Sequence, residues 1–392
     1  MTPILNGAGT NSRPQTPNYF TNHDEGSFTP PLIGRAPFSR MTTTGLTPPK
    51  SGKAPFDVVA EYHKLLAEDP DLTMPVAAIE ALIAGLAKTP ASTVSETLDL
   101  VNTLTTQLKR SISNPISLSA GTDLFQQYLS SNLQRPTSRG SFDEIRSHLV
   151  QNGRLFVERA KAARETIAGF GKHFIRDGNT ILTNGGSRVV GSLLKSAADS
   201  ANGSGRGSIR FKVIYVVSGV EKTDKEAQEN IAALRERGIP VATIPPTAIA
   251  YAMDGVTQCF VGAEGVVENG GIISRMGTYQ MGMLAKAMGK PFYVVSESHK
   301  FVRLYPLGQR DLGIEQNVVD FRTSKGRESE TEDEGVADMD GVHDKKALSD
   351  DVLAKLDEAV DYTPPDYISG IITESGVLLP SAVSEELIKI WF

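Results

Sequence analysis

Between Thr180 and Val295 the sequence alternates short apolar runs with stretches of helical spacing, and no other feature constrains the fold as tightly. The runs are Thr180-Ile181-Leu182-Thr183, Phe211 to Val217, Val241 to Ile244, Cys259 to Gly262 and Phe292 to Val295. Most of each run is apolar without interruption, which marks strands buried on both faces. Helices are expected between them, through Val189, Leu193 and Leu194, over Asp224 to Arg237, over Pro246 to Met253 and over Met276 to Met288. Such alternation builds a parallel sheet with helices on both sides, and the right-handed crossover makes it a doubly wound, Rossmann-like α/β layer.

Ahead of this layer the period is helical. Phe56 to Tyr62 opens one helix and Met74 to Ala87 makes a second, dense in alanine and leucine. Thr93-Val94-Ser95-Glu96 reads as a capping box, and Leu98, Val101, Leu104 and Leu108 form one stripe behind it. Ser141-Phe142-Asp143-Glu144 is a second cap, opening a long helix towards Phe170, with a polar loop from Gln134 to Gly140 before it. The organisation expected is a disordered leader over 1–55, a helical domain over 56–172 and the Rossmann-like domain over 173–392. The leader is rich in Pro, Thr, Ser, Asn and Gly. A Gly/Ser loop is expected from Ala201 to Gly207, and a disordered acidic insert at about 322–346, where Glu328, Glu330, Glu332, Asp333 and Glu334 crowd together. After it come a strand at Ile371-Ile372-Thr373 and a helix from Ala382 to Trp391.

Composition narrows the function by exclusion. A net charge of −6 implies no strongly basic face, so no direct nucleic-acid partner is expected. The single cysteine, Cys259, forms no internal disulfide and points to a reducing compartment; it is either a core strand residue or a reactive thiol. The six histidines show no paired spacing, and Asp338, Asp340 and Asp344 miss the EF-hand pattern, so no metal is expected. No stretch reaches the length of a membrane span and no signal pattern opens the chain, so a cytosolic protein without membrane attachment is expected. GxGxxG at a strand–helix turn, GxxxxGK[ST] and GxSxG are all missing, which disfavours a dinucleotide enzyme, a P-loop nucleotidase and an α/β-hydrolase.

Ligands of open α/β sheets bind beyond the carboxyl ends of the strands. Here the first such end reads Thr183-Asn184-Gly185-Gly186-Ser187-Arg188. Helix-start amides with Arg188 suit a phosphate, and a tight turn whose arginine makes a salt bridge suits the same residues. Ser218-Gly219, Pro245-Pro246-Thr247 and Ser296-Glu297-Ser298 are further ends. The fourth, "CFVGAEGVVENGGIISRMGTYQ", places Glu264 just past an apolar run, either as a catalytic acid or as the relic of one.

"VGAEGVVENGGIISRMGTYQMGMLAKAMGKPFYVVSESHKF", "ILTNGGSRVVGSLL" and the terminal "VDYTPPDYISGIITESGVLLPSAVSEELIKIWF" resemble the initiation factor 2B alpha/beta/delta family. That family also includes ribose-1,5-bisphosphate isomerase and methylthioribose-1-phosphate isomerase. The resemblance runs from Phe56 to Phe392 outside the acidic insert. "ENGGIISRMGTYQ" and "PSAVSEELIKIWF" are most like the family's translation-factor branch.

The resemblance implies that the isomerases use a cysteine after the first strand of this layer and an aspartate in a Gly-Ala-Asp segment, one to move a proton and one to handle the sugar oxygens. Gly185 stands at the cysteine's place and Glu264 at the aspartate's. An isomerase is therefore the alternative reading, and Gly185 stands against it. Asn269, Gly270 and Arg275 match the family's Asn-Gly and its basic residue before Gly-Thr. Asn114-Pro115-Ile116-Ser117-Leu118-Ser119 resembles the family's Arg-Pro-Thr helix start, with Asn114 in the arginine's place; a serine-capped helix start explains it equally.

By resemblance, the function expected is that of a non-catalytic regulatory subunit of the guanine-nucleotide exchange factor for translation initiation factor 2. Implied partners are a second copy in a homodimer, beta and delta subunits in a decamer with gamma and epsilon, and the phosphorylated initiation factor 2 alpha subunit. No cofactor is required. A pocket for a sugar phosphate or nucleoside monophosphate is expected from Asn184, Gly185, Gly186, Ser187, Arg188, Glu264, Asn269, Gly270, Arg275, Ser117 and Ser119.

Overall fold

Capping and patterning explain the helical half. In the computed structural model, which describes residues 56–391 apart from 70–71, 90–91, 113, 134–141, 204–209, 220, 317 and 320–358, it holds five helices. Helix α1 (Val58–Glu68) starts at Asp57, whose carboxylate accepts from the Val59 and Ala60 amides. Helix α2 (Met74–Lys88) has Pro75 in its first turn, where the missing N–H is no loss. Val76, Ile79, Leu82, Ile83 and Leu86 are all buried, as befits a helix apolar around its circumference and set in the middle of a bundle. Helix α3 (Val94–Ser111) is capped by the Thr93 hydroxyl, which accepts from the Glu96 amide at 3.1 Å. The Glu96 carboxylate reaches back to the amide and hydroxyl of Ser92, at 2.7 and 2.8 Å. Helices α4 (Ile116–Leu133) and α5 (Phe142–Gly171) complete this half. The expected leader, acidic insert, 134–140 loop and Ser141 cap lie outside the described residues.

The second half is the doubly wound α/β layer. Its strands β1 (Thr180–Asn184), β2 (Lys212–Val216), β3 (Val241–Ile244) and β4 (Gln258–Gly262) alternate with α6 (Arg188–Gly203), α7 (Glu221–Glu236) and α8 (Ile249–Met253). Helix α6 thus runs through Ala201–Gly203, where a loop was expected to begin. After β4 come β5 (Gly265–Val267), β6 (Ile272–Arg275), α9 (Thr278–Ala287), β7 (Phe292–Val295), β8 (Phe301–Val302), β9 (Val360–Thr363), β10 (Gly370–Thr373), β11 (Gly376–Leu378) and α10 (Val383–Trp391).

Seven strands form one sheet in the order β11-β10-β7-β4-β1-β2-β3, all parallel except the β10–β11 hairpin. Side chains alternate between its faces. Leu182, Cys259, Val261, Phe292 and Ile371 pack with α8, α9 and α10, while Ile181, Phe260 and Ile372 pack with α5, α6 and α7. Burying each of these side chains stabilises the fold by roughly 1.5–3 kcal/mol relative to exposure. Cys259 is fully buried, and its thiol is pushed up to about 12 by desolvation, so it is a core strand residue.

A second, four-stranded sheet was not expected. Its order is β8-β5-β6-β9, and it packs through Val267, Ile273, Val302 and Tyr362 against Ile116 and Ala120 of α4. Two glutamines cover the outer edge of β9. Gln309 donates to the Tyr362 carbonyl and accepts from its amide, at 2.7 and 2.8 Å; Gln316 does the same to Val360, at 2.8 and 3.1 Å. These amides satisfy the backbone groups that a fifth strand would otherwise pair.

Candidate functional site

Strands β1 and β4 are neighbours, and their carboxyl ends lie at the point where the strand order reverses: β2 and β3 extend one way, β7 and β10 the other. A cavity of about 240 Å³ opens there, walled by both halves of the fold. The sheet half supplies the β1–α6 turn, Glu264, Ser274, Arg275, Glu297 and Lys300; the helical half supplies Thr73, Met74, Ser117 and Arg164.

Ser187 precedes α6; its carbonyl accepts from the Gly191 amide and its hydroxyl from the Val190 amide at 3.5 Å, capping the first turn. Arg188 donates to the Leu72 carbonyl at 3.0 Å and lies 3.6 Å from Glu226 of α7. It is thus both the salt-bridged arginine and a cavity wall residue. Asn184 donates to Thr278 Oγ1 at 3.0 Å, fixing the end of β1 against α9.

Gly185 has φ +65°, the left-handed region, and a Cβ built on it would lie 3.0 Å from Arg275 Nη1. The position that the family resemblance sets against the isomerase cysteine is therefore roofed by a guanidinium. Glu264 is half-buried and accepts from Asn114 Nδ2 at 2.7 Å. Burial raises its pKa against the opposing pull of Lys300, Arg275 and the Asn114 hydrogen bond. The Asn114 Oδ1 also accepts from Ile116 N at 3.2 Å, so Asn114, not a serine, caps α4.

Deeper in the seam, Glu297 is 2% exposed, with Lys300 Nζ at 3.2 Å and Arg164 Nε at 3.8 Å. Burial works to raise its pKa, but Lys300 first and then its other positive neighbours hold it at about 2. His299 is buried beside it, 3.3 Å from Thr73 Oγ1; desolvation lowers its pKa to about 4 despite the Glu297 charge.

Of the residues expected at a pocket, Asn184, Gly186, Ser187, Arg188, Glu264, Arg275 and Ser117 line this cavity. Gly185 lines a larger one of about 1100 Å³ on the other side of Arg275, which borders both, as does Asn184. Asn269 and Gly270 belong to neither, which corrects the expectation. They form the β5–β6 turn: Asn269 donates to Pro306 O and Tyr362 Oη, at 2.9 and 2.7 Å, and accepts from Gly271 N. Gly270 has φ +84°, and a Cβ there would stand 2.1 Å from the Pro380 carbonyl. Ser119 is also off the wall; its amide continues α4.

Sequence reasoning missed Arg164, Lys300, Glu226, Ser274, Thr73 and Met74. Glu297 lay within a strand end that was marked but not singled out. Arg164 sits mid-helix in α5 and carries no local signal at all. Among the described residues no cluster suits a metal ion, and no helix is long and apolar enough to cross a membrane.

The sequence model of the Initiation factor 2 subunit family matches residues 67–380. A Dictyostelium discoideum protein, translation initiation factor eIF2B subunit alpha, is 34% identical over 335 residues, covering 85% of this chain and 96% of its own. Ribose 1,5-bisphosphate isomerase of Archaeoglobus fulgidus is 28% identical over 245 residues, covering 61% of this chain and 66% of its own. Among solved structures, the tetrameric eIF2B-beta2-delta2 complex from C. thermophilum holds a chain with TM-score 0.60 and 18% identity, covering 84% of this chain and 95% of that one. That likeness concerns the fold alone.

Proposed function

The chain belongs to the initiation factor 2 subunit family, and we propose that within it the chain is a non-catalytic regulatory subunit of the guanine-nucleotide exchange factor for translation initiation factor 2. In this reading it dimerises with a second copy, bridges beta–delta pairs in a cytosolic decamer with gamma and epsilon, and helps sense the phosphorylated alpha subunit of initiation factor 2. The alignment with a subunit alpha along nearly that protein's whole length supports the assignment. The strand-end cavity serves as a binding site for a sugar phosphate or nucleoside monophosphate.

One observation carries the non-catalytic reading over the isomerase alternative. Gly185 offers no titratable group, and its left-handed backbone beneath Arg275 disfavours any side chain there. Aldose–ketose isomerisation needs a second acid–base group opposite the carboxylate, and Glu264 alone does not supply the pair. Sedimentation of the purified chain, alone and with beta and delta subunits, tests the proposal. A dimer that enters a larger particle supports it. A monomer with no gain in mass overturns it, as does turnover of ribose-1,5-bisphosphate or methylthioribose-1-phosphate abolished by Glu264→Gln.

A further inference from the structure

Glu264 joins β4 to β5, Gly265 opens β5, and together they meet the start of α4 across the seam between the two halves. The Glu264 backbone is fixed, because its amide donates to the Ile273 carbonyl of β6 at 2.9 Å. Its side chain accepts from Asn114 Nδ2 at 2.7 Å, and the other end of the same amide, Oδ1, accepts from Ile116 N at 3.2 Å. Gly265 receives the apolar part of that turn. A Cβ built on it would stand 3.1 Å from Ile116 Cγ2 and 3.2 Å from Val302 Cγ2. Two consecutive residues of the sheet half thus form a socket, one polar and one bare, for Asn114 and Ile116 of the helical half. Ile116 and Ala120 then carry α4 onto the four-stranded sheet.

The chemistry of the Asn114–Glu264 pair has a direction. A carboxylate accepts hydrogen bonds and donates none, whereas a side-chain amide does both. Burial disfavours the charge of Glu264, and Lys300 and Arg275 act in its favour. The carboxylate decides which end of the Asn114 amide faces it. With Nδ2 turned to Glu264, Oδ1 is left for Ile116 N and closes the turn that opens α4. A reversed amide would set oxygen against carboxylate and donor against donor, so both bonds are lost together. We infer that Glu264 is a positioning residue: acting through Asn114, it sets the start of α4 on the sheet half. The inference goes beyond the non-catalytic reading by giving this carboxylate a role that involves no reaction, and it can fail while that reading stands.

Amide exchange of Ile116 in the full chain reads the turn directly. Glu264→Ala leaves the Ile116 acceptor in place on Asn114, yet exchange at Ile116 should quicken about fivefold, the scale of a lost helix cap. Asn114→Asp separates positioning by Glu264 from a turn that stands alone. An aspartate closes the same turn and its charge suits a helix N-terminus, so a turn independent of Glu264 predicts unchanged or slower exchange. Facing Glu264, it sets two carboxylates at hydrogen-bond distance, and exchange should quicken instead, with a lower melting temperature. Adding Glu264→Gln supplies a donor to the new carboxylate, and exchange should return to within about twofold of the wild type. Unchanged exchange in Glu264→Ala, or a double variant no better protected than Asn114→Asp, overturns the inference. Melting curves check that each variant folds. If Glu264→Ala does not, the Asn114→Asp pair decides; if Asn114→Asp does not, recovery of folded protein on adding Glu264→Gln is the same rescue, and its absence the same failure.

Discussion

Arg275 lies over Gly185, its Nη1 3.0 Å from the place a Cβ would occupy. The guanidinium can swing aside, but the φ of +65° belongs to the backbone and cannot relax as cheaply. Gly185→Ala is therefore expected to cost about 1–2 kcal/mol in chemical denaturation, the usual penalty of a left-handed conformation for an L side chain. Gly185→Cys should pay the same penalty without gaining isomerase turnover. Wild-type stability in Gly185→Ala would show that the turn is not held as described.

Buried His299 makes stability depend on pH. Its ordinary pKa of 6.5 is lowered in the fold to about 4, chiefly by desolvation. Between those values the unfolded chain holds more protons than the folded one, so stability falls as the pH drops through 6.5 towards 4. The slope approaches about 1.4 kcal/mol per pH unit for a single group. Urea midpoints measured from pH 7 to 5 should show this slope, and His299→Gln should flatten it. An unchanged slope in the variant would assign the effect to other groups.

Gln309 and Gln316 should protect the β9 edge. Gln309→Ala removes two hydrogen bonds to Tyr362 at an exposed position, where water can replace them. A loss of about 1 kcal/mol or less is expected, with faster amide exchange confined to Tyr362 and its neighbours. Exchange that rises equally across β6 would mean the edge is not opened locally.

The terminal hairpin and helix bear on assembly. Leu379 and Ile388 are 62% and 57% exposed, whereas Val383 and Leu387 are buried. Leu379→Glu and Ile388→Glu should therefore keep the helical circular dichroism signal, and Leu387→Glu should lose it, at a cost of several kcal/mol for a buried charge. If the exposed pair lies in the dimer contact, each charge enters the interface twice and sedimentation should report half the mass. Unchanged mass in both variants would place the dimer contact elsewhere.

Strands such as Cys259–Gly262 were legible because every residue is buried, so the apolar run is continuous. The second sheet was not. β5 has three residues and β8 two, too few for a period, and the family resemblance implies ligand contacts for Asn269 and Gly270, which lie in the β5–β6 turn. The site divides the same way. Arg188, Glu264 and Arg275 follow strands or open a helix, positions where sequence logic looks for ligands. Arg164 and Thr73 reach the cavity only because α5 and the start of α2 pack onto the sheet, and nothing local announces that.

The hydrogen bonds between the Gln316 side chain and the Val360 backbone also tie together the two ends of the long stretch between them. Where two chain positions are anchored to each other, the cost of closing the segment between them grows only with the logarithm of its length, about 0.6 kcal/mol for each doubling. The fold can gain or shed residues at this point with little thermodynamic consequence. Length variation between related chains is therefore expected to concentrate between positions 316 and 360, while the cavity and both sheets keep their dimensions.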